Sequence, residues 1–444
     1  MSKKVLVAVA WPYANGDLHV GHLAGAYLPA DIFARYHRLV GDDVLMVSGS
    51  DSHGTPITVR ADQEGVTPRE VFERFHRRFL EAQRDMGISY DLFTHTDTSN
   101  HRKVSQDIFS RLLEQGYLYT KTQRQFYSET LERFLPDRYV EGVCPYCGYT
   151  EARGDQCDNC GRLLDALELV DPHCKIDGSV PVVRETEHFF LDLPKLEPQV
   201  LAYLEEGKEN WRPNVLKFSL NYVRSGLKGR PITRDIAWGI PVPLEGYQDK
   251  RLYVWFEAVI GYFSASIEWA KLAQNPEAWK AWWYNPNAET VYFIGKDNIP
   301  FHTIIWPAEL IGIGRLYEDV PTKRLNLPTD VPANEFMNME GTQFSKSRGH
   351  VIGLLDLLSR YDPDAVRYYI TSVMPETSDS DFLWEDFVQR NNAELVGIWG
   401  NLAHRVLSFT YKHFEAVPKP GNLAEVDRAL LAKAKAAFDE VGAE

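Results

Sequence analysis

Apolar positions along the chain switch between two periods. Residues 5–10 form a short unbroken run of small and β-branched side chains, as a strand covered on both faces of a parallel sheet requires. A loop rich in Pro, Asn and Gly follows over residues 11–18. Apolar spacing turns helical from His19 to about Leu39, and residues 43–48 read as the next strand. This strand, loop, helix, strand order is half of a nucleotide-binding α/β fold. Thr67, Pro68 and Glu70 form a capping box with proline at the first helical position, opening an amphipathic helix through Met86; a second helix is expected around residues 103–114.

From Tyr117 to about Arg230 turn residues multiply and four cysteines appear, the mark of an insertion between two α/β halves. Beyond it, residues 251–255 and 290–294 read as buried strands, and 301–313 carries helical apolar spacing. Residues 328–349 form an irregular connector, and 385–409 and 423–441 are amphipathic helices. The expected fold class is α/β: a doubly wound, Rossmann-like parallel sheet split by a zinc-binding insertion and followed by part of an α-helical bundle. Its units are residues 1–116, the insertion 117–230, the second half 231–325, a connector 326–384, and the helical segment 385–444.

Composition narrows the class. The 444 residues exceed one ordinary domain, and 44% hydrophobic with 25% charged residues is soluble globular composition. No segment approaches the roughly 18 uninterrupted apolar residues of a membrane span, and no targeting segment is read at the start, so a cytoplasmic protein is expected. A net charge of −14, from 48 basic and 62 acidic residues, argues against a protein that coats nucleic acid through a uniformly positive surface. Local basic patches could still bind RNA.

Three motifs carry chemistry. His19-Val20-Gly21-His22 falls where the first loop enters a helix, and a helix N-terminus with its unpaired N–H groups can receive a phosphate. Gly21 allows close approach, and the two imidazoles, three apart, can face one ligand. The short pattern alone is also common on ordinary helices. Far downstream, Phe344-Ser345-Lys346-Ser347-Arg348-Gly349 is a loop carrying a lysine beside small hydroxyl residues, which taken alone reads as a solvated surface loop. Between them, Cys144, Cys147, Cys157 and Cys160 form two C-x-x-C pairs. Their spacing suits one closed, structural, tetrahedral zinc and would stabilise an insertion with little core of its own. Cys174 is left over, an isolated thiol with no role.

The order of the first two motifs around an insertion resembles the HIGH and KMSKS signatures of class I aminoacyl-tRNA synthetases, and further residues resemble the methionine-specific branch. Gln343 and Phe344 stand where that family usually has lysine and methionine, leaving Lys346 as the loop's lysine. The resemblance implies that His19 and His22 stabilise the α-phosphate transition state with Lys346 opposite, and that Asn15, Gly21, Gly295, Asp297, Ser345 and Ser347 contact ATP. It places Tyr13, Asp51, Trp255, Ala258, Tyr262, Phe301 and His302 around methionine, with the Asp51 carboxylate suited to its ammonium group. Trp11 stands where many relatives carry leucine, and Val259 where proline is common. Asn401 and Arg405 share one helix face and resemble an anticodon-reading helix. Arg234-Asp235 resembles a family segment near the active site, without an assigned role.

The implied enzyme is an ATP-dependent ligase of protein biosynthesis, using Mg2+ and one structural Zn2+ per chain. It would activate L-methionine to the adenylate, release pyrophosphate and charge elongator and initiator methionine tRNA, as a cytoplasmic monomer. Three other readings share part of the pattern. Synthetases for leucine, isoleucine or valine usually carry a large editing insertion, and residues 117–230 are too short and cysteine-rich for it. A cysteine-specific enzyme would need an open zinc position, which four thiolates do not leave. A non-catalytic tRNA-binding relative is opposed by intact His19, His22 and Lys346.

Overall fold

The computed structural model describes residues 2–136, 139–154, 157, 159–160, 164–340, 342–343 and 351–443, with only the backbone at 342, 343 and 443. The first unit forms as the pattern requires. Strand Lys4–Val9 leads through the loop to a helix that runs Val20–His22, widens by one π turn at Leu23–Tyr27 and continues as Leu28–Leu39, followed by strand Asp43–Ser50. Successive side chains of the first strand enter opposite cores: Val5, Val7 and Val9 pack with Leu23, Phe72 and Phe79, whereas Leu6 and Ala8 join Ile260, Trp306 and Leu310. Burial on both faces is why the run carries no polar alternation.

Five parallel strands form the central sheet, in the spatial order Ala333–Asn334, Glu289–Gly295, Lys4–Val9, Asp43–Ser50, Leu92–His95. By position along the chain this is the doubly wound order, and its switch point lies between Glu289–Gly295 and Lys4–Val9, where ligands sit beyond the carboxyl ends of the strands. The Pro68–Asp85 helix opens on its expected box, Thr67 Oγ1 accepting from Glu70 N at 3.3 Å and Glu70 Oε2 accepting from Thr67 N at 2.8 Å. The next helix starts four residues before its expected position, at Ser99, because Thr98 Oγ1 caps it by accepting from His101 N at 3.0 Å.

Two expectations need correction. The strand read at 251–255 is extended only over Arg251–Leu252; from Val254 the same apolar run is the buried helix Val254–Leu272. A run apolar on every side does not distinguish a buried strand from a buried helix. Within the connector, Ala333–Asn334 pairs with Ile294–Gly295 and becomes an edge of the central sheet.

The insertion has a separate scaffold. Leu118–Ser128 and Val182–Leu191 form a long antiparallel pair, flanked by Arg133–Phe134 and Arg230–Pro231. A second small sheet, of Val140–Val143, Ala152–Arg153 and Val170–Cys174, carries the first cysteine pair at the end of its opening strand. Cys174 is buried in that subdomain's core beside the likes of Phe126 and Tyr139, so it fills space there. The tail is helical over Trp384–Arg390, Asn391–Gly400, Asn401–Phe414 and Glu425–Ala443. Among the described residues no helix is long and apolar enough to cross a membrane.

Candidate active site

A cleft of about 470 Å³ opens at the switch point, lined by Trp11, Tyr13, His19, Gly21 and His22 on one side and Gly295 and Asp297 on the other. The helix entry fixes the histidines. His19 caps the helix: its Nδ1 accepts from Gly21 N at 3.1 Å, while His22 Nδ1 accepts from His19 N at 3.2 Å. An Nδ1 that accepts leaves the proton of a neutral imidazole on Nε2. Both rings therefore carry a donor on the edge away from the backbone, and their centroids lie 3.8 Å apart. Burial raises the pKa of Asp297 at the opposite wall. Asn15 lies in the loop that leads from the first strand to the histidine-bearing helix, and its carbonyl accepts from Arg60 Nη1 at 2.7 Å.

Beside the cleft a second group of expected residues converges. Trp255 Nε1 donates to the Tyr13 hydroxyl at 2.6 Å, and its ring lies 4.7 Å from that of Phe301. His302 Nδ1 donates to the Asn298 carbonyl at 2.9 Å, so its Nε2 accepts the Tyr262 O–H at 2.7 Å. Burial drops the His302 pKa to about 4, keeping the ring neutral. Ala258 lies on the same helix, between Trp255 and Tyr262. Asp51 directly follows the second strand, buried, bridged to Tyr13 through the backbone and accepting His53 N on Oδ1 at 3.1 Å. Burial first, and the Glu257 charge second, push its pKa well above the ordinary carboxylate range.

Trp11 occupies a slot that two glycines leave open. Its indole stands edge-on to Tyr262, with centroids 6.2 Å apart, and stacks on His101 at 6.4 Å. A Cβ on Gly261 would come within 2.7 Å of the indole, and one on Gly49 would meet the same ring and stand 2.5 Å from the Thr94 carbonyl oxygen. Gly49→Ala is therefore expected to lower stability by about 1–3 kcal/mol through overpacking, read from denaturant midpoints; an unchanged midpoint would contradict this packing.

Sequence reasoning missed the polar layer behind Asp51. Glu257, on the Trp255 helix, accepts from His53 Nδ1 at 2.9 Å and from His101 Nε2 at 2.6 Å, and His53 Nε2 faces Asp97 at 3.5 Å. The available signals were proximity alone: His53 lies two residues from Asp51, and Glu257 sits between Trp255 and Ala258. Asp235, left without a role above, has its pKa held at about 2: burial opposes ionisation, but hydrogen bonds from His188, Lys250 and Thr186 outweigh it. It thereby ties the insertion's sheet to the second half.

The four expected metal ligands come together, with all four sulfurs within 4.8 Å of one another. Cys144 and Cys160 sulfurs are 3.9 Å apart, and those of Cys147 and Cys157 are 3.6 Å apart. Four sulfurs at about 2.3 Å from one tetrahedral zinc would stand about 3.8 Å apart, so the set fits that ion. Hydrogen bonds from the Tyr149 backbone and Asn159 lower the Cys147 pKa to about 6. Asn401 and Arg405 project from one exposed helix, four positions apart. Ser345, Lys346 and Ser347 lie outside the described residues.

Residues 5–407 match the family model of tRNA synthetases class I (M). The chain belongs to that class I synthetase family. Within it, the chain is 60% identical over 443 residues to the methionine–tRNA ligase of Thermomicrobium roseum, covering all of this chain and 74% of that protein. It is 57% identical to the same-named ligase of Roseiflexus castenholzii, covering 75% of it. Among solved structures, the methionyl-tRNA synthetase of Mycobacterium tuberculosis bound by methionyl-adenylate superposes with a TM-score of 0.76 at 27% identity, over all of this chain and 79% of that one.

Proposed function

We propose that this chain activates L-methionine with ATP and transfers the methionyl group to the 3'-terminal ribose of methionine tRNA, with the adenylate made in the switch-point cleft. The observation that carries the reading is the adjoining arrangement of a two-imidazole helix entry and an aromatic pocket ended by a buried aspartate, in a chain 60% identical to a methionine–tRNA ligase. The methionine carboxylate attacks the α-phosphorus in line; His19 and His22 donate through Nε2 to its non-bridging oxygens as charge develops there, and pyrophosphate departs. Lys346, with Ser345 and Ser347, closes on the leaving phosphates. Mg2+ bound with the nucleotide would neutralise phosphate charge.

Asp51 receives the ammonium group, and Trp255, Ala258, Tyr262, Phe301 and the neutral His302 surround the thioether, whose polarizable sulfur suits aromatic walls. Gly295 and Asp297 face the ribose, with Gly21 at the phosphates and Asn15 also contacting ATP. Asn401 and Arg405 read the anticodon from the helical segment 385–444, and the enzyme works as a cytoplasmic monomer. Exchange of labelled pyrophosphate into ATP, run with methionine, leucine, isoleucine, valine and cysteine, tests the reading. Methionine is expected to support the fastest exchange, and faster exchange with any other would overturn it.

In the insertion, Cys144, Cys147, Cys157 and Cys160 hold one zinc, which supplies folding energy and no chemistry because sulfur fills every position. Elemental analysis should find about one zinc per chain. A strong chelator should remove it and make residues 117–230 the first site of proteolysis. Metal-free protein with a protease-resistant insertion would contradict this.

A further inference from the structure

Two buried carboxylates, Asp51 and Glu257, approach the proposed ammonium site from different halves of the split domain, one at the end of a central strand and the other on the Val254–Leu272 helix. Like charges at such depth do not both ionise without a cation between them. His53 is the residue bonded to both, through its ring to Glu257 and through its backbone to Asp51. Its Nδ1 meets Glu257 at 2.9 Å, its Nε2 faces Asp97 at 3.5 Å, and its backbone N–H fixes Asp51 Oδ1 at 3.1 Å. We propose that His53 is a positioning residue whose imidazolium neutralises Glu257, so that Asp51 is ionised and correctly aimed when the amino group of the substrate arrives; this rests on the methionine-activating role of the site.

The surroundings support a charged His53. Every packed element presents its charge or dipole: Glu257 from the helix, Asp97 after the third strand, Asp51 from the second, and His101 on Glu257's other oxygen, itself bonded to Ser264 at 2.8 Å. Arg69 pairs with Asp97 at 2.7 Å and Arg102 faces it at 3.8 Å, and Trp238 meets the His53 ring edge-on, 5.6 Å between centroids. His95 adds a smaller opposing influence, with its own pKa lowered by burial. Burial lowers the His53 pKa, but Glu257, Asp97 and Asp51 outweigh it and lift it to about 9, so the ring is cationic at neutral pH. His53 and His101 hold Glu257 below its ordinary value, so it is ionised, and its charge in turn helps raise Asp51.

The test is the pH profile of kcat/KM for methionine in pyrophosphate exchange at saturating ATP, which reports groups of the methionine-free enzyme. Loss of the His53 charge leaves Asp51 facing Glu257 alone. His53→Gln should move the acid limb to higher pH and raise KM for methionine about tenfold or more near neutrality, with KM for ATP changed by less than about twofold. Glu257→Gln removes the repulsion instead and should move the limb to lower pH. The double variant removes one charge of each sign and should regain most of the methionine affinity lost in His53→Gln, which a merely structural His53 would not allow.

A limb unmoved in both single variants, or a double variant weaker than either, would overturn the proposal. So would a Glu257→Gln limb at higher pH, which decides the matter even if His53→Gln does not fold. Absence of methionine-dependent exchange in the unsubstituted protein would instead remove the functional reading itself.

Discussion

Substituting His22 by asparagine should slow methionine-dependent pyrophosphate exchange by about 10²–10³-fold, the usual cost of one donor aimed at developing oxyanion charge. The substitution separates two jobs of one ring. Asparagine keeps an acceptor near the Nδ1 position, where His19 N donates at 3.2 Å, so the helix entry retains its cap. It has no counterpart of Nε2, the atom left with the donor proton of the neutral ring. The loss should therefore fall on kcat while the thermal midpoint changes little. His19→Asn should behave alike, since Gly21 N can still donate to the shorter side chain. Less than a tenfold loss in both variants, or a loss matched by unfolding, would contradict the roles assigned to these imidazoles.

Asp51→Asn is expected to raise KM for methionine by about 10²-fold, because truncating one partner of a buried charge pair costs roughly 2–5 kcal/mol. Asparagine fills the same volume and can still accept from His53 N, so the strand end keeps its shape. Only the negative charge is lost, and the incoming ammonium is left buried without a counter-ion. KM for ATP should stay near its original value, since Asp51 does not line the nucleotide cleft. The raised pKa of Asp51 also gives the unsubstituted protein a pH dependence. Protonation abolishes the binding charge, so methionine affinity should fall as pH drops through a value above the ordinary carboxylate range, and that limb should be missing in Asp51→Asn. Equal methionine KM values in the two proteins would contradict the assignment.

What the sequence made legible follows from locality. The first strand, the histidine-bearing helix entry, the Thr67 capping box and the two cysteine pairs are each specified within a few residues, and each forms as expected. The aromatic pocket was reached through family resemblance, since nothing in the spacing reveals that Tyr13 meets Trp255 or that Tyr262 meets His302. Errors arose where distant chain segments decide the outcome. Residues 253–255 are apolar whether strand or helix, and only packing of both faces of Val254–Leu272 against other elements settles it. Ala333–Asn334 is a strand because Glu289–Gly295 offers an open edge. The layer of His53, His101, Asp97 and Glu257 joins three separate stretches of chain, and its members look like unrelated polar residues until the fold buries them together.

The central claim is that one adenylate spans both parts of the site, and a crystal structure of the protein grown with methionine and ATP measures it directly. Methionyl-adenylate should lie with its amino group within hydrogen-bonding distance of Asp51, its thioether among Trp255, Tyr262 and His302, and its phosphate at the Nε2 atoms of His19 and His22. An adenylate whose amino group points away from Asp51, or whose phosphate lies remote from both imidazoles, would contradict the account.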